Sequence, residues 1–353
     1  MFDSVKPPTS SGSEDVSPSG GASVSGKNKH SAMGECAYHL YEVLKVHNHY
    51  DADGHGGVVS YATSRAREDI LKQGFKVLHD SGLKIRNVRN FNNSHMQALA
   101  NHWESQPLSP STMQLRFCVF RTFCSWIGKK GMVGEASNYL ENPLRAKRTY
   151  VAKEDKGWVA KGVEILPKIE LAFSKDPFVG IQLLLMWAFG LRAREAWQFH
   201  PDDIALLMSN MVDVKHGTKN GREREVPIMT PWQQQVIAMA KGYVNGSTGS
   251  LIPSKYKRSQ WAPRFYRICG KCGISRKNGI VPHGLRHERA NDLYYQLTGT
   301  NSPVRGGAEQ VEKHLMAIDT AARRIVAEHM GHSRVQITGA YCGKKPRVKK
   351  EVT

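Results

Sequence analysis

The sequence of 353 residues has no long apolar run and few cysteines, and both features exclude classes of protein. No stretch approaches the roughly 18 consecutive apolar residues that a membrane-spanning helix needs. The first residues also lack the charged-then-apolar pattern of a secretory signal peptide. The six cysteines are sparse and lie mostly in helical patterns: Cys36, Cys118, Cys124, Cys269, Cys272 and Cys342. We therefore predict reduced thiols in a cytoplasmic protein.

Metal-binding patterns are equally scarce. Cys269 and Cys272 form a single C-x-x-C pair, whereas a zinc site needs a second pair, and none is placed to supply it. Packing of both thiols at the end of a helix is the simpler interpretation. We therefore predict no metal ligands and no cofactor-binding residues.

Acidic residues are outnumbered. The 31 Asp and Glu residues stand against 50 Lys and Arg, which gives a net charge of +19 and a sequence pI of about 9.7. Such a surplus favours polyanionic partners, nucleic acid above all. Charge sets non-specific affinity but does not specify a reaction. A basic protein that binds acidic partners without chemistry, or one that lies on an anionic membrane, is therefore still an alternative.

Composition divides the chain into four segments. Residues 1–34 contain nine Ser, five Gly and three Pro, and are predicted to be a disordered tail. Residues 35–145 are predicted to form a mostly helical, basic domain. Residues 146–158 are polar and charged, which is typical of a linker. Residues 159–353 are predicted to form a longer, mainly helical domain.

The clearest helical pattern of the first domain lies between Ser109 and Gly128. Ser109 or Ser111 is a suitable N-terminal cap, and Gly128 a suitable end. Apolar residues recur there at helical spacing: Leu115, Cys118, Val119, Thr122, Phe123 and Trp126. Two further helices are predicted over 58–79 and 94–104. Basic side chains on and just after this helix are the candidate DNA contacts: Arg116, Arg121, Lys129 and Lys130. The alternative is an ordinary helical bundle with a solvated basic face.

The second domain adds a short sheet to its helices. Residues 165–199 contain two helices, and the first half of the second is apolar enough to be buried. Residues 211–228 alternate between polar and apolar and carry Asn220-Gly221, a strong signal for a β-hairpin. The sequence therefore predicts a mainly α fold with a small antiparallel β-hairpin.

Four short elements of this domain carry residues suited to phosphate chemistry, in the order Arg192, Lys219, His283 with Arg286, and His332 with Tyr341. Each residue has a simpler interpretation when taken singly. Arg192 is placed to pair with Glu195 on the next helical turn, Lys219 to be a solvated turn residue, and His283 to cap a helix. The order and spacing of the whole set favour a functional interpretation.

This set resembles the catalytic signature of the tyrosine recombinases, the phage-integrase family of site-specific DNA recombinases. The matching motifs are GLRARE at 190–195 for the G-L-R-x-x-E box, Lys219 eight residues before Pro227, HGLRH at 283–287 for the H-x-L-R-H box, and MGH at 330–332 for the L-G-H box, with Tyr341 nine residues later. These specific motifs cover residues 155–345. The resemblance extends loosely to the helical residues 55–145, which are similar to the family's core-binding domain.

The resemblance implies a role for each residue. Arg192 and Arg286 would hold the non-bridging oxygens of a DNA phosphodiester, because planar guanidinium groups bind them in pairs and stay charged. Tyr341 would attack the phosphorus and form a 3′-phosphotyrosine. Such a reaction needs neither a metal cluster nor a glycine-rich phosphate loop, since positioning and charge neutralisation do most of the work.

Three groups would handle protons or hydrogen bonds. Lys219 would protonate the leaving 5′ oxygen. His283 would handle the proton of the tyrosine, because imidazole titrates near neutral pH. His332 would donate a hydrogen bond to the phosphate.

The sequence departs from the family pattern in three places. Met330 replaces the usual leucine before Gly-His. The stretch between Arg286 and His332 is longer than usual and includes the polar segment 298–310, which we interpret as an inserted loop. After Tyr341 the sequence contains twelve residues, whose proline and lysines argue against a long helix that docks onto a neighbouring protomer.

The fold that the resemblance implies is a two-domain, C-shaped DNA clamp, made of a helical core-binding domain and a tyrosine-recombinase catalytic domain. The implied function is site-specific recombination for a mobile element or phage, by a tetramer on two DNA sites through a Holliday junction. Accessory DNA-bending or directionality proteins would be further partners, and a nucleoid-associated, cytoplasmic location is expected.

Three alternatives stay open at this point. A type IB topoisomerase-like enzyme would use the same chemistry to relax DNA. A non-catalytic DNA-binding protein would have little reason to keep all six residues. A basic RNA-binding module is disfavoured, since no aromatic-rich RNA-binding motif is visible.

Overall fold

The computed structural model describes residues 31–50, 57–201 and 210–348. Residues 1–30, most of the predicted tail, lie outside these ranges. The chain divides into two compact units, and the boundary falls between Thr149 and Tyr150, inside the predicted linker 146–158.

Within the described residues, the first unit contains four α-helices: α1 (Ala32–His47), α2 (Tyr61–Asp80), α3 (Asn93–Glu104) and α4 (Pro110–Trp126). Each begins after a polar cap, as short side chains at that position satisfy free backbone N–H groups. The Ser31 hydroxyl accepts from the Gly34 N–H at 3.0 Å, so α1 begins within the segment assigned to the tail. Ser60 caps α2, which therefore starts later than predicted. Ser109 caps α4, as one of the two predicted alternatives.

An aromatic cluster forms the core of the first unit. Phe117 and Phe120 of α4 are fully buried, and Phe120 lies so close to α2 that a Cβ at Gly74 would meet its ring at 2.4 Å. Two of the apolar residues that recur at helical spacing on α4 do not belong to this core. Leu115 is 48% exposed and Cys118 is also exposed, because the larger aromatic side chains turn a different face of the helix inward.

In the part of the second unit that the structure describes, the helices and strands are α5 (Ile165–Lys175), α6 (Pro177–Phe189), α7 (Ala193–Trp197), β1 (Met211–Val214), β2 (Arg224–Pro227), α8 (Pro231–Lys241), α9 (Arg258–Lys271), α10 (His283–Thr298), β3 (Gln310–Val311), α11 (Lys313–His329), α12 (Gly339–Cys342) and β4 (Arg347–Val348). The prediction of a mainly helical fold with a small antiparallel sheet is confirmed. In the parts of the chain described above, no helix is both long and apolar enough to span a lipid bilayer.

Helix α6 forms the centre of the second core, with ten buried residues. Trp158 is also fully buried, and its indole N–H donates to the Val281 carbonyl at 2.8 Å. The last residue of the predicted linker therefore belongs to the core of this unit. Cys269 and Cys272 lie in the same core as free thiols, which agrees with the packing interpretation.

The loop of the hairpin is longer than the two-residue turn that an Asn-Gly pair favours. Strands β1 and β2 are antiparallel, with Val214 opposite Arg224, so residues 215–223 connect them. The Asn-Gly pair does not form a two-residue turn. Lys219–Gly221 instead form a single 3₁₀ turn, in which Gly221 has a φ of +66°, a conformation that glycine adopts without strain.

The segment 298–310 is ordered and ends in an unpredicted strand. After a 3₁₀ turn at Pro303–Arg305, strand β3 pairs in parallel with β4, through Gln310 with Arg347 and Val311 with Val348. The inserted loop and the chain that follows Tyr341 are therefore neighbours.

Candidate active site

Arg286 lies at the centre of the candidate site. It belongs to the first turns of α10 and is fully buried, and its two terminal nitrogens donate to the backbone carbonyls of Gly190 and Met330. Its Nε donates to the Tyr341 hydroxyl oxygen at 3.0 Å. Burial lowers the pKa of the guanidinium to about 10, so the group remains charged at neutral pH.

Arg192 stands where the chain leaves the buried helix α6, as predicted. Gly190 ends that helix with a φ of +63°, and Arg192 precedes the first residue of α7. Its Nη1 forms an ion pair of 2.6 Å with Glu195 Oε1, and its Nη2 donates to the Met330 carbonyl at 3.2 Å. Arg192 and Arg286 thus converge on one carbonyl. The simpler interpretation of Arg192, an ion pair with Glu195, is confirmed, and this pair orients the guanidinium.

The Glu195 carboxylate is shared with a second arginine that sequence reasoning missed. Arg224 of β2 donates to Glu195 through Nη1 at 3.0 Å and Nη2 at 2.8 Å. Burial alone would raise the pKa of the carboxyl, but the hydrogen bond and charge of Arg224, together with the charges of Arg192 and Arg286, lower it to about 2. A signal was present in the sequence, because Arg224 and the buried Val226 share one face of the strand.

Tyr341 and His332 meet beside Arg286. The Tyr341 side chain is 5% exposed, and its hydroxyl oxygen lies 3.2 Å from His332 Nε2. The two terminal groups come from different local structures, since His332 follows α11 and Tyr341 lies on the short helix α12. Desolvation, followed by the charges of Arg286 and Arg192, lowers the pKa of His332 to about 4. His332 is therefore neutral at pH 7.

His283 lies at the rim of the same cluster. Its ring centroid is 6.5 Å from that of Tyr341, compared with 5.7 Å for His332. Desolvation by the surrounding protein, followed by the charges of Arg286 and Arg192, lowers the pKa of His283 to about 4. His287, one turn further along α10, is buried against the Tyr341 ring at 4.8 Å, and burial lowers its pKa to about 3.

Lys219 is exposed on the loop of the hairpin and is not held in the cluster. Within the described residues its side chain makes no hydrogen bond, although its charge contributes to the lowered pKa of His332. The structure therefore brings five of the six predicted catalytic residues together and leaves Lys219 on a separate loop nearby.

The four candidate DNA contacts of the first unit behave differently from one another. Arg116 lies 5.5 Å from the ring centroid of Trp103 and reaches two glutamine side chains. Arg121 donates to the Gly134 carbonyl at 3.1 Å, and Lys129 to the Phe91 carbonyl at 2.8 Å. Lys130 is exposed. Three of the four basic side chains therefore stabilise their own unit, a use that helical spacing does not reveal.

Comparison with known proteins finds matches in both units. The chain matches the family model described as Integrase over residues 160–292, and the one described as Phage integrase, N-terminal, over residues 49–133. The tyrosine recombinase XerC of Proteus mirabilis is 27% identical over 223 residues, which are 60% of this chain and 68% of that protein. The two family models and this relative support a tyrosine recombinase. This likeness supports site-specific DNA recombination as the activity.

Solved structures show the same fold. The Tn1549 transposon integrase in complex with a circular intermediate DNA matches with a TM-score of 0.51 at 14% identity, over 87% of this chain and 94% of that one. A lambda integrase tetramer bound to a Holliday junction matches with a TM-score of 0.53 at 15% identity, over 84% of this chain and 74% of that one. At these identities the likeness concerns the fold alone.

Proposed function

We propose that this protein cleaves and rejoins DNA at a specific site through a covalent 3′-phosphotyrosine on Tyr341. One observation carries the proposal: the Tyr341 hydroxyl is held by the buried Arg286 at 3.0 Å and by His332 at 3.2 Å, next to the Arg192 guanidinium. A nucleophile beside a proton acceptor and two fixed cations is the arrangement that attack on an anionic phosphodiester requires.

In this mechanism the Tyr341 oxygen bonds to phosphorus and the bond from phosphorus to the 5′ oxygen breaks. Arg192 and Arg286 neutralise the negative charge that grows on the non-bridging oxygens. Because the two guanidinium groups supply the positive charge for this, the step needs neither a metal nor ATP. Attack of a 5′ hydroxyl on the phosphotyrosine reverses the reaction and rejoins the strand. The covalent bond conserves the energy of the phosphodiester.

The proton of Tyr341 is proposed to pass to His332. Arg286 Nε–H already donates to the hydroxyl oxygen, which leaves the hydroxyl proton to point at the other neighbour, His332 Nε2. A pKa of about 4 keeps His332 neutral and able to accept it. The motifs alone give the proton step to His283, and they give His332 the role of donating a hydrogen bond to the phosphate. The distances favour exchanging the two roles, with His283 at the rim donating to the phosphate.

Lys219 is proposed to protonate the leaving 5′ oxygen. Its exposed position on the hairpin loop allows the ammonium group to reach a bound phosphate without disturbing the buried cluster. Phosphate contact and proton donation both follow from an ammonium that is not committed to a carboxylate.

DNA binding and assembly extend the proposal. We propose that the first unit contacts the duplex through Lys130 and neighbouring basic side chains, and that four copies act on two sites through a Holliday junction. The lambda integrase tetramer bound to a Holliday junction supports this assembly by analogy of fold. Integration or excision of a mobile element or phage is the proposed task, with accessory DNA-bending or directionality proteins as partners in the cytoplasm.

Covalent trapping tests the proposal. DNA that remains attached to the protein after denaturation is sequenced to find the site, and a nicked suicide substrate is built from it. Wild type and Tyr295→Phe, an exposed tyrosine on α10, are expected to form a 3′-linked adduct. Tyr341→Phe should bind the DNA with similar affinity and form none. An adduct from Tyr341→Phe would refute the assignment, and relaxation by a monomer without strand exchange would favour a type IB topoisomerase-like activity.

A further inference from the structure

The inserted segment packs directly against the chain that carries Tyr341. Ser302 is fully buried. Gly343, two residues after Tyr341, approaches the segment so closely that a Cβ would lie 2.9 Å from the Val304 nitrogen, and its φ is +78°. This contact admits only glycine without a shift of the backbone. The segment is thus part of the wall behind the nucleophile.

One side chain connects the segment to the nucleophile's backbone. Asn291 of α10 is fully buried, and its Nδ2 donates to the Tyr341 carbonyl at 3.3 Å and to the His287 carbonyl at 3.0 Å. Its Oδ1 accepts from the Ser302 hydroxyl at 2.6 Å. Because the two carbonyls can only accept, the amide turns its Nδ2 towards them, and the Ser302 hydroxyl holds the side chain there by donating to the remaining Oδ1.

Arg305 fastens the segment to the rest of the unit. Its guanidinium pairs with Asp155 at 2.7 Å, Asp292 at 2.6 Å and Glu288. The three carboxylates belong to the chain that enters the unit and to α10. These ion pairs hold Arg305 against α10 and Asp155. Because Arg305 is only three residues after Ser302, they also hold Ser302 in place.

Helix α12 needs such external contacts because it is only four residues long. A single turn is unstable by itself, since nucleation costs more than one hydrogen bond returns. Carbonyls at both ends of this helix are held from outside: the Ala152 N–H donates to the Gly339 carbonyl at 2.8 Å, and Arg323 Nη1 to the carbonyl of Gly343, the residue after the helix, at 3.1 Å. The bond from Asn291 holds the backbone carbonyl of Tyr341 itself.

We propose that Asn291, oriented by Ser302 of the inserted segment, is a positioning residue for the Tyr341 nucleophile. It fixes the main chain of Tyr341, so that the hydroxyl stays within reach of Arg286 and His332. This inference rests on the proposed function, in which Tyr341 attacks the phosphorus.

The test compares single-turnover cleavage by Asn291→Leu, Ser302→Ala and the double variant. Misplacement of a nucleophile by an ångström costs on the order of 10²-fold in rate, so Asn291→Leu should cleave about that much more slowly at unchanged DNA affinity. Ser302→Ala should lose part of that, roughly tenfold by the same reasoning. Because Ser302 acts through Asn291, its loss should add nothing in the Asn291→Leu background.

Two controls separate positioning from general damage to α10. Tyr294→Phe removes a buried hydrogen bond of 2.7 Å from the same helix to Asp319, and should lower thermal stability while leaving the cleavage rate close to wild type. The Asn291 and Ser302 variants should also be slowed equally on normal DNA and on a 5′-bridging phosphorothiolate. This is because these variants change the position of the nucleophile and not the protonation of the leaving group.

Several results would overturn the inference: a normal rate for Ser302→Ala, an independent loss in the double variant, or the same slowing in Tyr294→Phe. Ser302→Ala removes a single oxygen, so it keeps the test decisive if Asn291→Leu does not fold. Tyr341→Phe is run in the same assay. An adduct from that variant would refute the nucleophile, whereas no adduct from it together with normal Asn291 and Ser302 variants would refute only the positioning.

Discussion

Arg224 holds Glu195 by two parallel hydrogen bonds, Nη1 to Oε1 at 3.0 Å and Nη2 to Oε2 at 2.8 Å. Both side chains are nearly inaccessible to solvent, with 6% and 0% exposure. The pair joins strand β2 of the hairpin to helix α7, whose first residue follows Arg192. It therefore fixes the carboxylate that orients Arg192.

Removal of Arg224 should destabilise the protein. Arg224→Ala leaves a buried carboxylate with only Arg192 as a partner, and breaking a buried ion pair on one side costs on the order of 3 kcal/mol. Urea denaturation gives the free energy of unfolding. Arg222→Ala, an exposed arginine of the same hairpin, is the matched control and should change it by less than about 0.5 kcal/mol. Equal values for the two variants would show that the pair contributes nothing.

The sequence predicted which residues come together better than it predicted their contacts. Motif spacing singles out Arg286, His332 and Tyr341 without knowledge of the fold, and Arg286 Nε lies 3.0 Å from the Tyr341 hydroxyl oxygen. The Asn291 contact with Tyr341 spans fifty positions and rests on one side chain, for which no local pattern exists. Spacing predicts which residues share a helix face, but not which distant carbonyl they reach.

Fold prediction succeeded where local rules dominate. The Ser109 cap and the strands around residue 220 follow from side-chain hydrogen bonding and alternation. It failed where tertiary packing chose between similar options. Leu115 belongs to the apolar periodicity of α4, yet it is exposed, because the aromatic cluster around Phe120 turns a different face of the helix towards the core. The Asn-Gly pair also does not give the length of the hairpin loop, since it favours but does not enforce a two-residue turn.

Lys219 should matter only when the leaving group needs a proton. Lys219→Ala is expected to cleave normal DNA more slowly by a factor on the order of 10²–10⁴, and to recover on a 5′-bridging phosphorothiolate, because sulfur leaves without protonation. Arg192→Ala and Arg286→Ala should not recover, since they act on non-bridging oxygens. Rates come from single-turnover assays on both substrates. Equal slowing of Lys219→Ala on both would make it a DNA-positioning residue.

Acid should destabilise the second unit through its buried histidines. Burial, followed by the charges of Arg289 and Arg224, lowers the pKa of His329 well below its usual value near 6.5. A group whose pKa is depressed on folding contributes stability that is present above the unfolded value and lost as pH falls below it. The melting temperature should therefore decline as pH falls from about 6.5.

The contribution of His329 can be isolated by substitution. His329→Leu removes one titrating group and should reduce the dependence of the melting temperature on pH between about 6.5 and 4.5, while the other buried histidines keep part of it. His314→Leu changes an exposed histidine on the same helix and should leave the slope unchanged. A wild-type slope in His329→Leu would assign the acid sensitivity to other groups.

DNA affinity should depend steeply on salt. If both units contact one duplex, several phosphates are neutralised, and log affinity should fall with log salt at a slope of about −0.9 per phosphate. Titration by fluorescence anisotropy at several salt concentrations gives the slope. Deleting residues 1–30 should scarcely change it, because their three acidic and three basic residues cancel. A slope near −1, which corresponds to about one phosphate, would contradict binding by both units.

The identity of the covalently linked residue tests the central claim most directly. After wild-type protein is trapped on a suicide substrate, nuclease and trypsin digestion leave a nucleotide on one peptide, and mass spectrometry locates it. The account predicts the nucleotide on the peptide Val335–Lys344, attached to Tyr341 through a 3′ phosphate. A nucleotide on any other peptide, such as the one that contains Tyr295, or a 5′ linkage, would contradict it.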